Sequence, residues 1–240
     1  AGRPDFVEVT VALIEAPHER LLTLVSTAHS YLAFGYDEVA HGLALEAERL
    51  AQSITTELFR EWALSEMASL MAAVGEGAKA NTMIAQIGSA KSRVQAMCNI
   101  VIAELRAGRE ERARQTLEIA RTTMAAISRP QERQQARACL ASSYAAMAEF
   151  DEALKQARGI EFGYTHSFVI NRIVLAMARN GDTAKAIDLA ETIPDDKLRI
   201  STFVAMSGIA RKRGNAEAAA QLGAVALEFS RALTIPLDKA

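Results

Sequence analysis

Residues 87–113 of this 240-residue chain read IGSAKSRVQAMCNIVIAELRAGREERA, and their spacing recurs along the sequence. Ile87 is followed six residues later by Arg93, fifteen residues after that by Gly108, and five residues further on by Ala113. The same offsets follow five other isoleucines, which are Ile14, Ile54, Ile127, Ile160 and Ile193. A pattern repeated at a fixed register indicates a stacked array of similar units rather than a single closed core.

Three columns of residues accompany the isoleucines. The basic column is Arg20, Arg60, Arg93, Arg133, His166 and Arg199. The glycine column is Gly35, Gly75, Gly108, Ala148, Gly181 and Gly214. The alanine column is Ala40, Ala80, Ala113, Ala153, Ala186 and Ala219. An alanine at the same place in every unit predicts a close crossing of two helices, because a small side chain lets their backbones approach.

Each unit reads as two helices, which we call helix A and helix B. In the fifth unit, apolar residues at helical spacing run from Val169 to Met177, Gly181 supplies a left-handed C-cap, and Pro194 breaks the chain before the next unit. The predicted fold is therefore all-α, a superhelix of about six helix–turn–helix repeats. The isoleucines are spaced 40, 33, 40, 33 and 33 residues apart, so two B helices should be about two turns longer, near 46–52 and 119–125.

Composition and charge limit the class of protein. Only 5% of the residues are aromatic although 50% are hydrophobic, which suits packed helices better than sheets. Two cysteines do not make a disulfide framework, no run reaches the roughly eighteen apolar residues of a membrane span, and no export signal is visible. We therefore expect a cytoplasmic protein with no membrane partner.

Charge is distributed unevenly along the chain. Residues 1–89 carry five Lys or Arg against twelve Asp or Glu, whereas residues 90–215 carry twenty against fourteen. A basic middle favours an acidic protein or peptide as partner, and the acidic first part also favours head-to-tail self-association. The net charge of −2 and the scarcity of aromatics argue against nucleic acid.

The basic column needs an explanation, because arginine at the start of a helix opposes the helix dipole. One explanation is structural: the guanidinium reaches the free carbonyls at the end of the preceding helix B, or a nearby carboxylate. The other is functional: the column forms a ladder that binds a polyanion. One arginine per unit at a fixed register favours the structural explanation.

Over residues 18 to about 233 the sequence resembles the tetratricopeptide repeat (TPR) family. The resemblance rests on the helix A column of Tyr31, Tyr144 and Met177, on the alanine column, and on the turn sequence AEFDEAL at 148–154. The sequence departs from that family in having its helix A tryptophan only at Trp62, in a displaced closing proline, and in alternating unit lengths. The resemblance implies a right-handed superhelix whose concave face, lined by A helices, binds peptides or proteins.

We divide the chain into a remnant or capping helix of a preceding repeat at 1–17 and a TPR-like repeat array at 18–240. The units of the array lie near 18–54, 55–87, 88–127, 128–160, 161–193 and 194–235. Both ends of the sequence look like the closing part of a repeat, so we expect the array to belong to a longer protein.

The helix A positions that should face the concave side carry the candidate partner-binding residues. They are Trp62, Gln95, Asn99, Arg106, Gln135, Phe168, Asn171, Arg172 and Arg179. Amide and guanidinium groups suit an extended peptide backbone or carboxylates, and the aromatics would anchor apolar side chains. The chaperone-type carboxylate clamp of the TPR family needs lysine at sites where this chain has Val25 and Ser65, which argues against that ligand.

The predicted function is a protein–protein interaction scaffold that binds a peptide or protein segment in this groove. The alternative is a regulatory or sensor repeat domain that binds a small ligand or signal peptide and controls an effector domain outside this sequence. The four histidines have no paired ligand spacing, and no nucleophile elbow, phosphate loop or dinucleotide fingerprint occurs. We therefore expect no catalytic residue, metal site or cofactor.

Overall fold

The computed structural model describes residues 11, 13–54, 56–161 and 163–234. Within these ranges the A helices share one length, 17 residues. They are α1 (Pro17–Ala33), α3 (Glu57–Ala73), α5 (Ala90–Arg106), α7 (Pro130–Ala146), α9 (Tyr164–Asn180) and α11 (Asp196–Lys212). Each spans most of the interval between the isoleucine and the glycine of its unit.

The B helices differ in length. They are α2 (Asp37–Gln52), α4 (Gly77–Ala85), α6 (Glu110–Met124), α8 (Phe150–Arg158), α10 (Thr183–Glu191) and α12 (Ala216–Thr234). Helices α4, α8 and α10 have 9 residues each, whereas α2 has 16 and α6 has 15. This difference is the lengthening of two B helices that the isoleucine spacing predicts. The described residues hold helices and turns without strands, which confirms the all-α class and its helix–turn–helix repeats.

A left-handed residue ends every A helix, at the glycine column. Its φ lies between 59° and 105° in all six units, and the non-glycine member, Ala148, has φ 59°. The next residue donates its backbone N–H to the carbonyl five residues earlier, as in Tyr36 to Tyr31 (2.9 Å) and Arg109 to Glu104 (2.8 Å). This hydrogen bond is the mark of a Schellman cap, which satisfies a carbonyl that the helix leaves open.

Each alanine of the alanine column is the fourth residue of its B helix. All six alanines are buried, with at most 6% of their surface exposed. The burial of all six alanines supports a steric reason for the same small residue in every unit.

In four units the arginine of the basic column joins the unit to the one before it. The guanidinium of Arg93 donates to the carbonyl oxygen of Ile87 at 2.8 Å, and that of Arg133 to Ile127 at 2.7 Å. Arg20 and Arg199 bind Ile14 and Ile193 in the same way. For these four units the structural explanation of the column is confirmed, because the arginine supplies a donor for a carbonyl at the end of the preceding helix B.

Two compact units make up the chain, Ala1–Ala136 and Arg137–Ala240. In the first, α1 packs on α3 and α3 on α5, and each of these A helices also packs on its own B helix. In the second, α9 packs on α8, α10 and α11, and α11 packs on α12. The closing segments expected within 1–17 and near 235 lie largely outside the described residues.

Ala148→Gly should raise the free energy of unfolding by about 0.5–1 kcal/mol. The left-handed conformation costs the folded protein about 1–2 kcal/mol at an L residue and does not carry this cost at glycine. The greater conformational entropy of glycine in the unfolded chain offsets part of the stability gained by the substitution. Urea titration followed by helical circular dichroism measures the change. As control, Ala146→Gly at the end of α7 should lower stability by up to about 1 kcal/mol. Equal shifts of the same sign would contradict strain at Ala148.

Arg93→Met should lower the free energy of unfolding by about 1–3 kcal/mol, because the Ile87 carbonyl then loses its donor in a partly buried site. Methionine keeps the apolar stem of the side chain, so the loss reports the guanidinium. The control is Lys91→Met two residues earlier on α5, because the Lys91 side chain makes no hydrogen bond or ion pair within the described ranges. A loss no larger than that of the control would show that the contact does not stabilise the array.

Candidate functional site

Five of the nine predicted partner-binding residues belong to the first unit, and two clefts there collect four of them. The tryptophan cleft, about 360 Å³ in volume, lies near the start of α3, α5 and α7. Trp62, Gln95 and Gln135 line it together, with Ser65 and Lys91 beside them. Within this part of the chain the sequence columns therefore predict which side chains share a cleft.

The second cleft, which we call the arginine cleft, lies near the ends of α1, α3 and α5. It has a volume of about 680 Å³, and its wall includes His29 of α1, Ala73 of α3 and Arg106 of α5. Asp37, the first residue of α2, adds a carboxylate to the wall. An arginine, a carboxylate and small apolar side chains together suit a peptide that carries charged side chains.

Two arginines line the arginine cleft, and they differ in their bonding. Arg109 forms an ion pair with the buried carboxylate of Glu104 and donates to the backbone carbonyls of Ala72 and of Ala73, the latter at 3.1 Å. Arg109 therefore ties the end of α3 to the turn after α5. The Arg106 side chain is exposed and makes no hydrogen bond or ion pair with the part of the chain that the structure describes. Arg106 is thus the cation that the cleft can offer to a ligand.

Burial and charge alter the titration of two side chains on these helices. Burial lowers the pKa of His29, and the nearby charge of Arg106 lowers it further. Burial raises the pKa of Glu66, which lies one turn after Trp62 on α3. His29 is therefore biased towards its neutral form, and Glu66 towards its protonated form.

Asn99 lies on α5 between the two clefts. Its side-chain oxygen accepts a hydrogen bond from the Gln95 amide at 3.2 Å, one turn earlier. The two amides share a polar stripe on α5, which leads from the tryptophan cleft towards Arg106.

The remaining four predicted residues belong to the second unit. Phe168 and Tyr164 stack with ring centroids 6.2 Å apart, and 44% of Phe168 is exposed. The side-chain amide of Asn171 donates to the Thr202 hydroxyl at 3.0 Å, so this residue ties α9 to α11. Arg172 and Arg179 are exposed on α9.

Sequence reasoning missed His29 and Asp37, which line the arginine cleft. His29 occupies a helix A column that faces the predicted groove, but histidine occurs there once, and the other units place unrelated residues at that position. Asp37 starts a B helix, where an acidic residue is sufficiently explained by the helix dipole. A column-by-column search therefore has no signal by which to select them.

The described ranges contain no group of three or more His, Cys, Asp or Glu side chains placed to hold a metal ion. Among the helices that the structure describes, none combines the length and the apolar character needed to cross a bilayer. The two clefts present hydrogen-bonding, charged and apolar side chains.

No protein-family model and no curated protein sequence matches the chain. Among solved structures, the chain is similar to a candidate kinesin light chain from Podosopora anserina, described as having nearly identical TPR-like repeats. That similarity has 16% sequence identity and a TM-score of 0.35, and it covers 95% of this chain and 100% of the other. At this level it assigns neither a family nor a function.

The lowered pKa of His29 predicts a pH dependence of stability. The unfolded chain binds a proton at His29 more readily than the folded chain does. The contribution of His29 to the free energy of unfolding is therefore fully present above the unfolded pKa near 6.5, and it is lost as pH falls below that value. His29→Gln should remove the part of the pH-dependent decrease in the free energy of unfolding that is due to His29. Urea titrations of both proteins at pH 7.5 and pH 5.5 measure the difference, and identical losses in the two proteins would refute the prediction.

Proposed function

We propose that this chain is a protein-binding scaffold, and that one face of its A helices holds an extended segment of a partner protein. The observation that carries the proposal is the placement of two clefts along the same helix. Gln95 lines the tryptophan cleft and Arg106 lines the arginine cleft, both on α5. They are eleven residues apart, which is about three helical turns, so their side chains project to the same side.

The distance between these residues sets the length of segment that fits. Eleven residues of α-helix rise about 16 Å, which an extended peptide covers in about five residues. An apolar or aromatic side chain would enter the tryptophan cleft against Trp62. An Asp or Glu about five residues away would reach the Arg106 guanidinium, and the Gln95 and Asn99 amides would meet the backbone between them.

The binding surface is polar at its centre, so specificity would come from a few contacts. Arg106 supplies a charge-assisted hydrogen bond to a carboxylate, and Trp62 supplies an aromatic anchor. His29 stays neutral beside Arg106 and does not add a second positive charge above pH 7. The partner segment is therefore expected to carry a single acidic side chain at this place rather than an acidic run.

The chain's single tryptophan allows the proposal to be tested directly, because Trp62 lies in one of the two clefts. Peptides selected from a displayed random library would be titrated against the protein and followed by tryptophan fluorescence. We expect enrichment of peptides with an aromatic residue and an Asp or Glu about five positions apart. Arg106→Glu should weaken their binding by about tenfold or more, as loss of a charged hydrogen bond implies.

The matched control is Arg112→Glu, which reverses an exposed charge on α6 outside both clefts. It should leave affinity unchanged, and both variants should keep the helical circular dichroism of the parent protein. Equal affinity of the Arg106 and Arg112 variants would refute the arginine cleft as the site. A double charge reversal at Arg172 and Arg179 tests whether the second unit also contributes, as the sequence columns predict.

A further inference from the structure

A third cleft in the first unit lies beside B helices, away from the residues described above. We call it the B-helix cleft; its volume is about 580 Å³. Residues of the last turns of α2, among them Glu48 and Gln52, form one wall, and Lys79 and Met83 of α4 form another. Helix α2 has 16 residues and α4 has 9, so the two extra turns of α2 have no counterpart on the neighbouring B helix. The cleft is thus a consequence of unequal B-helix lengths.

Arg60 of α3 is a wall residue of the B-helix cleft and departs from the basic column. Arg20, Arg93, Arg133 and Arg199 each donate to the carbonyl of the isoleucine six residues earlier. Arg60 makes no such bond to Ile54 and no ion pair within the part of the chain that the structure describes, and it is exposed. Arg60, the arginine of the basic column that does not bind the preceding isoleucine carbonyl, therefore lies in a cleft.

Among the described side chains of the B-helix cleft, one cation has no opposite charge beside it. Lys79 Nζ lies 3.2 Å from Glu48 Oε2, so these two side chains neutralise each other across the cleft. Arg60 is the remaining charged side chain of the described wall. A ligand with one negative charge would balance it, and a carboxylate can accept two parallel hydrogen bonds from a guanidinium.

The wall below these charges is apolar. Met67 and Ala63 of α3 are buried there, and Ile54, Leu64 and Met83 are half-buried. Methionine side chains adapt to ligands of varied shape, and the volume lies within the roughly 300–1,000 Å³ typical of small-molecule sites. An apolar ligand body would displace water from this wall and gain free energy in proportion to the area covered.

We propose that the B-helix cleft binds a small monoanionic amphiphile, a carboxylate with an unbranched apolar tail. The carboxylate lies against Arg60 and the tail covers the half-buried side chains of Leu64 and Met83. This site is separate from the proposed protein-binding face, and it would give the chain the ligand-sensing function that its sequence leaves open.

Isothermal titration calorimetry with decanoate, below its aggregation concentration, tests the proposal on the full chain. We expect saturable binding with one decanoate per chain. Decyltrimethylammonium carries the same tail with the opposite charge and should not saturate. Arg60→Gln should weaken decanoate binding by about tenfold or more, and Arg60→Lys should restore part of it, because lysine keeps the charge without the planar fork.

Two further variants separate charge from shape. Thr82→Phe fills the cleft from its α4 wall and should abolish binding without removing a charge. Arg49→Gln removes an exposed cation of α2 that does not line the cleft and should leave binding unchanged. Absence of saturation, equal binding of the two amphiphiles, or equal affinity of the parent protein and Arg60→Gln would each overturn the proposal. Peptide binding reported by Trp62 fluorescence should survive Arg60→Gln, so failure of one proposal is distinguishable from failure of the other.

Discussion

The carbonyl of the isoleucine that closes a B helix is the point on which the repeat depends. The isoleucine contributes in two ways. In the case of Ile87, the side chain is fully buried and the backbone carbonyl accepts a hydrogen bond from Arg93. A carbonyl at a helix end has no donor within its own helix. Because the arginine belongs to the first turn of the next helix A, the bond fixes where that helix begins relative to the one before it. In the four units that make this bond, one residue pair thereby places the unit on its neighbour.

The positions fixed by packing explain why the A helices have equal lengths and the B helices do not. The basic-column residue and the glycine-column residue of a unit are fifteen positions apart in all six units, so helix A keeps 17 residues. The interval from the alanine column to the next isoleucine is 7 residues in three units and 14 in two. Seven residues are close to two helical turns, so the longer interval returns the isoleucine to nearly the same side of helix B. The repeat thus tolerates a longer helix B, and the space beside α2 and above the short α4 is the result.

The parts of the fold that repeat could be predicted from the sequence, because packing at a fixed register leaves the same residue type in each unit. Helix order, left-handed caps, buried alanines and the arginine–isoleucine contact all belong to this class. The shared cleft of Trp62, Gln95 and Gln135 also follows, since equivalent positions on neighbouring A helices lie side by side. Bonds across helices could not be predicted in this way. The pairing of Asn171 with Thr202, and of Arg109 with the carbonyls that end α3, depends on rotamers and interhelical distances that a column does not encode.

Two residues that depart from the repeat, Ala148 and Arg60, differ in whether the departure leaves a side chain without its usual hydrogen bond. Ala148 departs at a backbone position, where it adds local strain while the Glu149 N–H still donates to the Tyr144 carbonyl. Arg60 departs at a side-chain position, and its guanidinium is left on the wall of a cleft. Arg106 and Trp62 occur where most units have other residues, so the repeat itself does not require them. A polar group that packing does not use, placed beside apolar surface in a cleft, can gain free energy only from a ligand or from water. This is the physical reason to look for binding at Arg60 and Arg106 rather than along the arginines that hold the units together.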